Sequence, residues 1–99
     1  MSRTRPTTVD LEGGPVKLEL YKFDSCPFCH RVFRAIERLG LSIPMRDTLR
    51  DPGARSELIR LGGKSQVPAL RVDGTVIYES RDIIRFLEKN IRSGVPDVA

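Results

Sequence analysis

The sequence predicts one α/β domain of order β-α-β-α-β-β-α, a four-stranded mixed sheet flanked by helices. Three observations predict it. Stretches in which apolar residues alternate with period two take turns along the chain with stretches in which they recur at helical spacing. An Asp73-Gly74 pair between two short apolar runs marks an antiparallel hairpin. The only two cysteines, Cys26 and Cys29, stand two residues apart where a strand gives way to a helix.

Each element has its own signal. Val16, Leu18 and Leu20 alternate, and Tyr21 and Phe23 add aromatic content, so Lys17 to Phe23 reads as the first strand. Val32, Phe33, Ile36 and Leu39 share a helical face, Pro27 suits a first turn and Gly40 a stop. Leu41 to Asp47 reads as a short second strand interrupted by Pro44. Asp51-Pro52 is a cap followed by a first-turn proline, Leu58, Ile59 and Leu61 form the apolar face, and Gly62-Gly63 end this second helix. Val67 to Val72 and Thr75 to Tyr78 are the hairpin strands. Ser80 reads as the cap of a third helix with Ile83, Ile84, Leu87 and Ile91 on one face. Strand–helix–strand units favour parallel pairing with right-handed crossovers, and the hairpin adds an antiparallel edge. Residues 1–15 and 93–99 are polar and read as flexible tails, leaving 16–92 as the domain.

With 99 residues there is room for a single core. No stretch approaches the ~18 apolar residues of a membrane span. The first residues lack an apolar secretory segment, so the expectation is a cytoplasmic protein without a membrane partner. The net charge of +4 is modest and scattered, there is no Trp, and no aromatic residues alternate with the cations. A solvated basic face is therefore expected rather than a nucleic-acid surface. A basic balance also favours encounter with small anionic thiols.

Two thiols at a strand-to-helix turn suit a redox-active pair. The first turn of a helix has unpaired N–H groups and the positive end of the macrodipole, and both stabilise an anion. The thiolate is the nucleophile. Other readings of the same residues stay open at this point. Cys26-Pro27-Phe28-Cys29-His30 matches the pattern of c-type haem attachment, which needs export and an axial partner. A structural zinc site needs about four ligands, so here it would need a dimer. A structural disulfide belongs to secreted chains. Two buried, inert thiols are the plainest alternative.

Residues 17–91 resemble a glutaredoxin, of the branch similar in its second half to the N-terminal domain of glutathione S-transferases. Three stretches carry the resemblance: Cys26-Pro27-Phe28-Cys29, close to the dithiol Cys-Pro-Tyr-Cys; Gly62-Gly63-Lys64-Ser65-Gln66-Val67-Pro68-Ala69-Leu70; and Asp73-Gly74 through Tyr78-Glu79-Ser80-Arg81-Asp82-Ile83-Ile84, followed by Phe86-Leu87-Glu88. The fold it implies is thioredoxin-like. The activity it implies is a glutathione-dependent thiol–disulfide oxidoreductase, with Cys26 as nucleophile and Cys29 resolving. Glutathione enters as co-substrate, no metal is expected, and the partners are glutathionylated or disulfide-bonded proteins and small thiols met by a monomer.

The resemblance also implies a glutathione site. Val67-Pro68 is expected to be a cis step presenting the Val67 backbone beside Cys26. Glu79 and Ser80 are expected to take the ammonium and carboxylate of the γ-glutamyl end, with Asp82 assisting, while Gln66 and Lys64 complete the site. Lys64 is assigned to the glycine carboxylate. The chain departs from the glutaredoxin pattern in having Phe23-Asp24-Ser25 before Cys26, where many members place a lysine, and an ionised Asp24 nearby opposes thiolate formation. No helical second domain fits in 99 residues, so transferase activity toward electrophiles is not expected. Two alternatives accompany this reading: a dimer holding a glutathione-ligated [2Fe–2S] cluster through Cys26, and a non-catalytic module that binds glutathione or a partner.

Overall fold

The computed structural model describes residues 8–11 and 14–90. Five strands and three helices follow in the order β1 (Thr8–Leu11), β2 (Gly14–Lys22), α1 (Pro27–Arg38), β3 (Met45–Asp47), α2 (Pro52–Gly62), β4 (Ala69–Val72), β5 (Thr75–Ile77) and α3 (Ser80–Asn90). The expected four-stranded mixed sheet is present as β3-β2-β4-β5, and the fold is thioredoxin-like. β2 is central. It pairs parallel with β3 (Leu20↔Met45, Lys22↔Asp47) and antiparallel with β4 (Leu18↔Val72, Tyr21↔Ala69). β4 and β5 pair antiparallel, Leu70↔Ile77. Asp73 turns that hairpin with φ +58°, a left-handed conformation that Asp tolerates.

Period-two alternation in β2 divides the interior. Leu18 and Leu20 face one side and meet Val32 and Ile36 of α1, Ile83 and Leu87 of α3, and Leu70 and Val72 of β4. Tyr21 faces the other side, with Ala54 and Leu58 of α2 and Ala69 of β4. Each fully buried leucine, isoleucine or valine here is worth about 1.5–3 kcal/mol relative to exposure. The α2 side also carries charge. The Tyr21 hydroxyl donates to Glu57, and Arg46 bridges Glu57 at 2.9 Å and Glu19 at 3.6 Å. The Tyr21 bond, with Arg46 beside it, holds the Glu57 carboxyl below the usual carboxylate range.

Several boundaries differ from expectation. Thr8–Leu11 lies in the stretch read as a tail, yet it pairs with the start of β2, Thr8↔Lys17 to Leu11↔Gly14. Glycine and proline nearby gave that stretch the composition of a loop, but a strand edge accepts any extended chain with free N–H and C=O groups. The tail residues 1–7 and 93–99, and Ile91 of the third helix, lie outside the described residues. The second strand is Met45–Asp47 rather than Leu41–Asp47. Pro44 has no N–H to give a ladder, although its carbonyl accepts from Leu20 N at 2.9 Å. The third strand begins at Ala69, after the Val67-Pro68 bond, which is cis. The second helix is bounded as expected. Asp51 accepts from Gly53 N and Ala54 N at 3.0 and 3.2 Å, and Gly63 closes it at φ +95°.

Candidate functional site

Cys26 is the N-cap of α1. Its extended backbone (φ −84°, ψ 117°) leaves its side chain over the first turn, where its sulfur accepts from Cys29 N at 3.3 Å. Pro27 follows at the first helical position, where a missing N–H costs nothing. The Cys26 thiol also faces the Val67 carbonyl at 3.9 Å. Helix α1 and the Val67-Pro68 turn thus meet at one sulfur. Both cysteines are free, and they differ in access: Cys26 keeps 6 % of its surface and Cys29 none. Burial pushes the Cys29 thiol up to about 12, partly opposed by a hydrogen bond from the Phe23 backbone and by the charge of Lys22.

The loop before Cys26 is braced on both sides. Lys22 Nζ reaches Asp24 Oδ1 at 2.7 Å and Asp47 Oδ2 at 3.5 Å. The Asp24 hydrogen bond is the main reason the Lys22 ammonium is held more firmly protonated than usual. His30 Nε2 lies 2.6 Å from the Asp24 carbonyl oxygen, which can only accept, so this nitrogen carries the proton. The His30 ring also stands edge-on to Phe33 at 5.2 Å. His30 therefore fastens a loop and is not a free surface side chain.

A cleft of about 660 Å³ is lined by residues of α1, the Val67-Pro68 turn, the segment after β5 and the start of α3; Cys26 and Cys29 do not line it, but Cys26 adjoins it through Val67. That volume lies in the ~300–1,000 Å³ range of small-molecule sites. Six of the seven residues picked from sequence for glutathione converge on it: Gln66, Val67, Pro68, Glu79, Ser80 and Asp82. Gln66 Nε2 and Glu79 Oε2 approach to 3.5 Å across it. Lys64 does not line it. Its ammonium stands 4.7 Å from the Tyr78 ring centre, a cation–π contact that draws it aside. Ser80 is the first helical residue and not the cap: the Glu79 carbonyl accepts from Ile83 N at 2.9 Å, so Glu79 occupies the cap position.

Sequence reasoning gave no part in the cleft to four further lining residues, Phe28, Arg31, Tyr78 and Arg81. Phe28 is 54 % exposed at the cleft, with the Arg31 guanidinium 5.5 Å from its ring centre. The three-residue spacing of Phe28 and Arg31 is a legible helical signal. Arg81 adjoins Glu79-Ser80 in sequence. For Tyr78 there was no local signal. Its hydroxyl donates to Lys64 O at 2.9 Å and accepts from Lys64 N at 3.4 Å, which pins the following loop. Among the described residues no group of three or more His, Cys, Asp or Glu side chains is placed to hold a metal ion. Nor is any helix among them long and apolar enough to cross a membrane.

Comparison with known proteins agrees with this fold. Residues 25–90 match the family described as glutathione S-transferase, N-terminal domain. Glutaredoxin 3 of Escherichia coli (strain K12) is 29 % identical over 66 residues, which cover 67 % of this chain and 80 % of that protein. Among solved structures, the thioredoxin-like protein BC3987 superposes with a TM-score of 0.65 at 25 % identity, covering 74 % of this chain and 97 % of its own. Glutathione transferase Omega 3C from Trametes versicolor gives 0.64 at 26 % identity, covering 73 % of this chain. The chain spans only 30 % of that transferase's length. By the extent of the family match, the chain belongs to the glutathione S-transferase N-terminal domain family.

Proposed function

We propose that the protein is a glutathione-dependent thiol–disulfide oxidoreductase that works through Cys26. The observation that carries this reading is the setting of Cys26 Sγ: capping α1, 3.3 Å from the Cys29 N–H, facing the Val67 carbonyl at 3.9 Å, and next to a cleft lined by polar groups. A thiolate there is stabilised by the N–H groups and the positive end of α1. Glutathione fits the cleft as a short extended peptide. Its cysteine backbone pairs with the Val67 backbone in the manner of an added strand. Its γ-glutamyl carboxylate meets Ser80 and the free N–H groups that begin α3, and its ammonium meets Glu79 and Asp82. Gln66 orients the same end through Glu79.

The chemistry is disulfide exchange. The Cys26 thiolate attacks the glutathionyl sulfur of a mixed disulfide. A Cys26–glutathione disulfide forms, the original S–S bond breaks, and the substrate leaves as a thiolate that takes up a proton. A second glutathione thiolate attacks the glutathionyl sulfur held on Cys26, giving oxidised glutathione and restoring the Cys26 thiolate. Cys29 is the alternative nucleophile: its attack on Cys26 expels glutathione and closes a Cys26–Cys29 disulfide, which two glutathione molecules reopen. The Cys29 thiol is neutral at pH 7, so this branch is the slower one.

The test is turnover of a glutathionylated substrate coupled to glutathione reductase. Cys26→Ser is expected to be inactive and Cys29→Ser to keep most of the rate. Equal loss in both variants points to an obligatory dithiol route, and no turnover by the parent protein removes the enzyme reading.

A further inference from the structure

Helices α1 and α3 lie side by side on one face of the sheet, and both begin at the cleft, which Phe28 and Arg31 line from one and Ser80 and Arg81 from the other. They therefore run in the same direction. Helical periodicity puts Arg31, Arg34 and Arg38 within about 60° of one another on α1, and Arg81, Arg85 and Glu88 within about 60° on α3. The two faces adjoin, because Arg38 and Glu88 are bridged at 2.9 Å near the far ends of the helices. At the cleft end Arg31 and Arg81 both line the cleft. Arg34 and Arg85 stand one turn further along.

All four of these arginines are exposed, and none has an ion pair with a described residue. The nearby carboxylates are Glu37 and Asp82 on the same helices and Glu79 before α3, while Glu88 is already taken by Arg38. This contrasts with the α2 side, where Arg46 and Arg71 each meet Glu19 and Glu57 within 4 Å. The stripe thus keeps four cations with no carboxylate of the described residues within ion-pair distance, and its near end reaches the cleft at Arg31 and Arg81.

We propose that this stripe is the docking surface for an acidic segment of a protein that carries a glutathionylated cysteine; the proposal rests on the function given above and names its substrate class. The spacing sets a range. With a rise of ~1.5 Å per helical residue, Arg31 and Arg34 lie ~7 and ~12 Å along α1 from Cys26. An extended peptide advances ~3.3 Å per residue, so carboxylates about two to four positions from the modified cysteine fall on the stripe. Exposed charges at such separations act on encounter more than on the bound complex, and salt weakens them.

The experiment uses two peptides that differ only in the residues flanking one glutathionylated cysteine, all Glu in one and all Lys in the other, beside a small neutral mixed disulfide of glutathione. At low ionic strength kcat/KM for the acidic peptide is expected to exceed that for the basic one about tenfold, and the gap to shrink to about twofold near 0.5 M salt. The double charge reversal Arg34→Glu, Arg85→Glu is expected to invert the preference and leave the small disulfide unaffected. Equal kcat/KM for both peptides, with the small disulfide turned over normally, overturns the docking proposal alone. So does inhibition by duplex DNA in a parent that does not discriminate the peptides, which marks the stripe as a nucleic-acid surface. Failure on all three substrates overturns the proposed function and the docking proposal with it.

Discussion

Gly62→Ala sets two physical effects against each other at the edge of the cleft. Gly62 is the last residue of α2 and takes no left-handed conformation. By intrinsic propensity alone, alanine at a helical position stabilises by up to about 1 kcal/mol over glycine. The structure opposes this. A Cβ on Gly62 would lie 2.7 Å from Tyr78 Cζ and closer still to its hydroxyl, so the ring must move. The Tyr78 hydroxyl makes both hydrogen bonds to the Lys64 backbone, and its ring carries the Lys64 ammonium. Two neutral hydrogen bonds at about 1 kcal/mol each and an exposed cation–π contact at about 0.5–1 kcal/mol sum to ~2.5–3 kcal/mol of interaction put at risk. Net of the propensity gain, a destabilisation of about 1–2 kcal/mol is expected.

Tyr78→Phe separates the causes. It removes the hydroxyl and both hydrogen bonds without a clash, so it is expected to cost about 1–2 kcal/mol alone. Placed on that background, Gly62→Ala is expected to cost less than it does in the parent, because the nearest obstructing atom is gone. Urea denaturation of the four proteins gives the free energies. The KM for a small glutathione mixed disulfide, expected to rise severalfold in Gly62→Ala, reports on the cleft, which Tyr78 and Gln66 line. A Gly62→Ala protein as stable as the parent, with unchanged KM, refutes the packing reasoning and leaves helix propensity in charge.

Three further outcomes follow from the charges and burial. Iodoacetamide at neutral pH is expected to modify Cys26 and spare Cys29, giving a single added group by mass spectrometry; a second group on the folded protein contradicts the full burial of Cys29. Burial pushes both the Cys29 thiol and the Tyr21 phenol up to about 12, from ordinary values near 9.0 and 10.0. Below pH ~9 both are neutral folded or unfolded, so their contribution is fully present. Above it the unfolded chain ionises first, and urea midpoints are expected to fall progressively between pH ~9 and ~12, more shallowly in Cys29→Ala. Lys22→Met is expected to slow alkylation of Cys26 about threefold, because it leaves the Asp24 carboxylate uncompensated near the sulfur. An unchanged rate shows that Asp24 is too well solvated to matter.

Most of the fold was legible because most of it is dictated locally. Asp51, Pro52 and Gly63 bound α2 by their own chemistry, and alternation in β2 assigns Leu20 and Tyr21 to opposite faces. β1 was not legible. It owes its existence to pairing with β2, a neighbour it cannot signal in four residues. The site divides in the same way. Cys26, Cys29 and the lining residues Gln66 to Pro68, Glu79, Ser80 and Asp82 come from contiguous motifs that sequence displays. Lys64 lies off the cleft lining because its flexible side chain meets the Tyr78 ring, a tertiary choice that sequence does not display. Tyr78 was missed because its hydrogen-bond partner is 14 residues away.

The charge order around the thiols shows how the same local residues reverse meaning once folded. Asp24, two residues before Cys26, reads in sequence as an opponent of thiolate formation. In the structure its carboxylate is paired with Lys22 and its carbonyl with His30, while Phe23 O accepts from Cys26 N at 3.3 Å. The anion is thereby paired with a lysine two residues before it. Lys22 ends β2, and its carbonyl accepts from Thr48 N beyond β3, so the cation is anchored to the sheet at the root of the loop. From there it lowers the Cys29 thiol against the effect of burial, and Asp47 stands on its other side. A lysine anchored in the sheet ties the electrostatics of the pair to β2, the central strand. In this arrangement Lys22 offsets the Asp24 charge on the approach to the start of α1, where the free N–H groups favour negative charge.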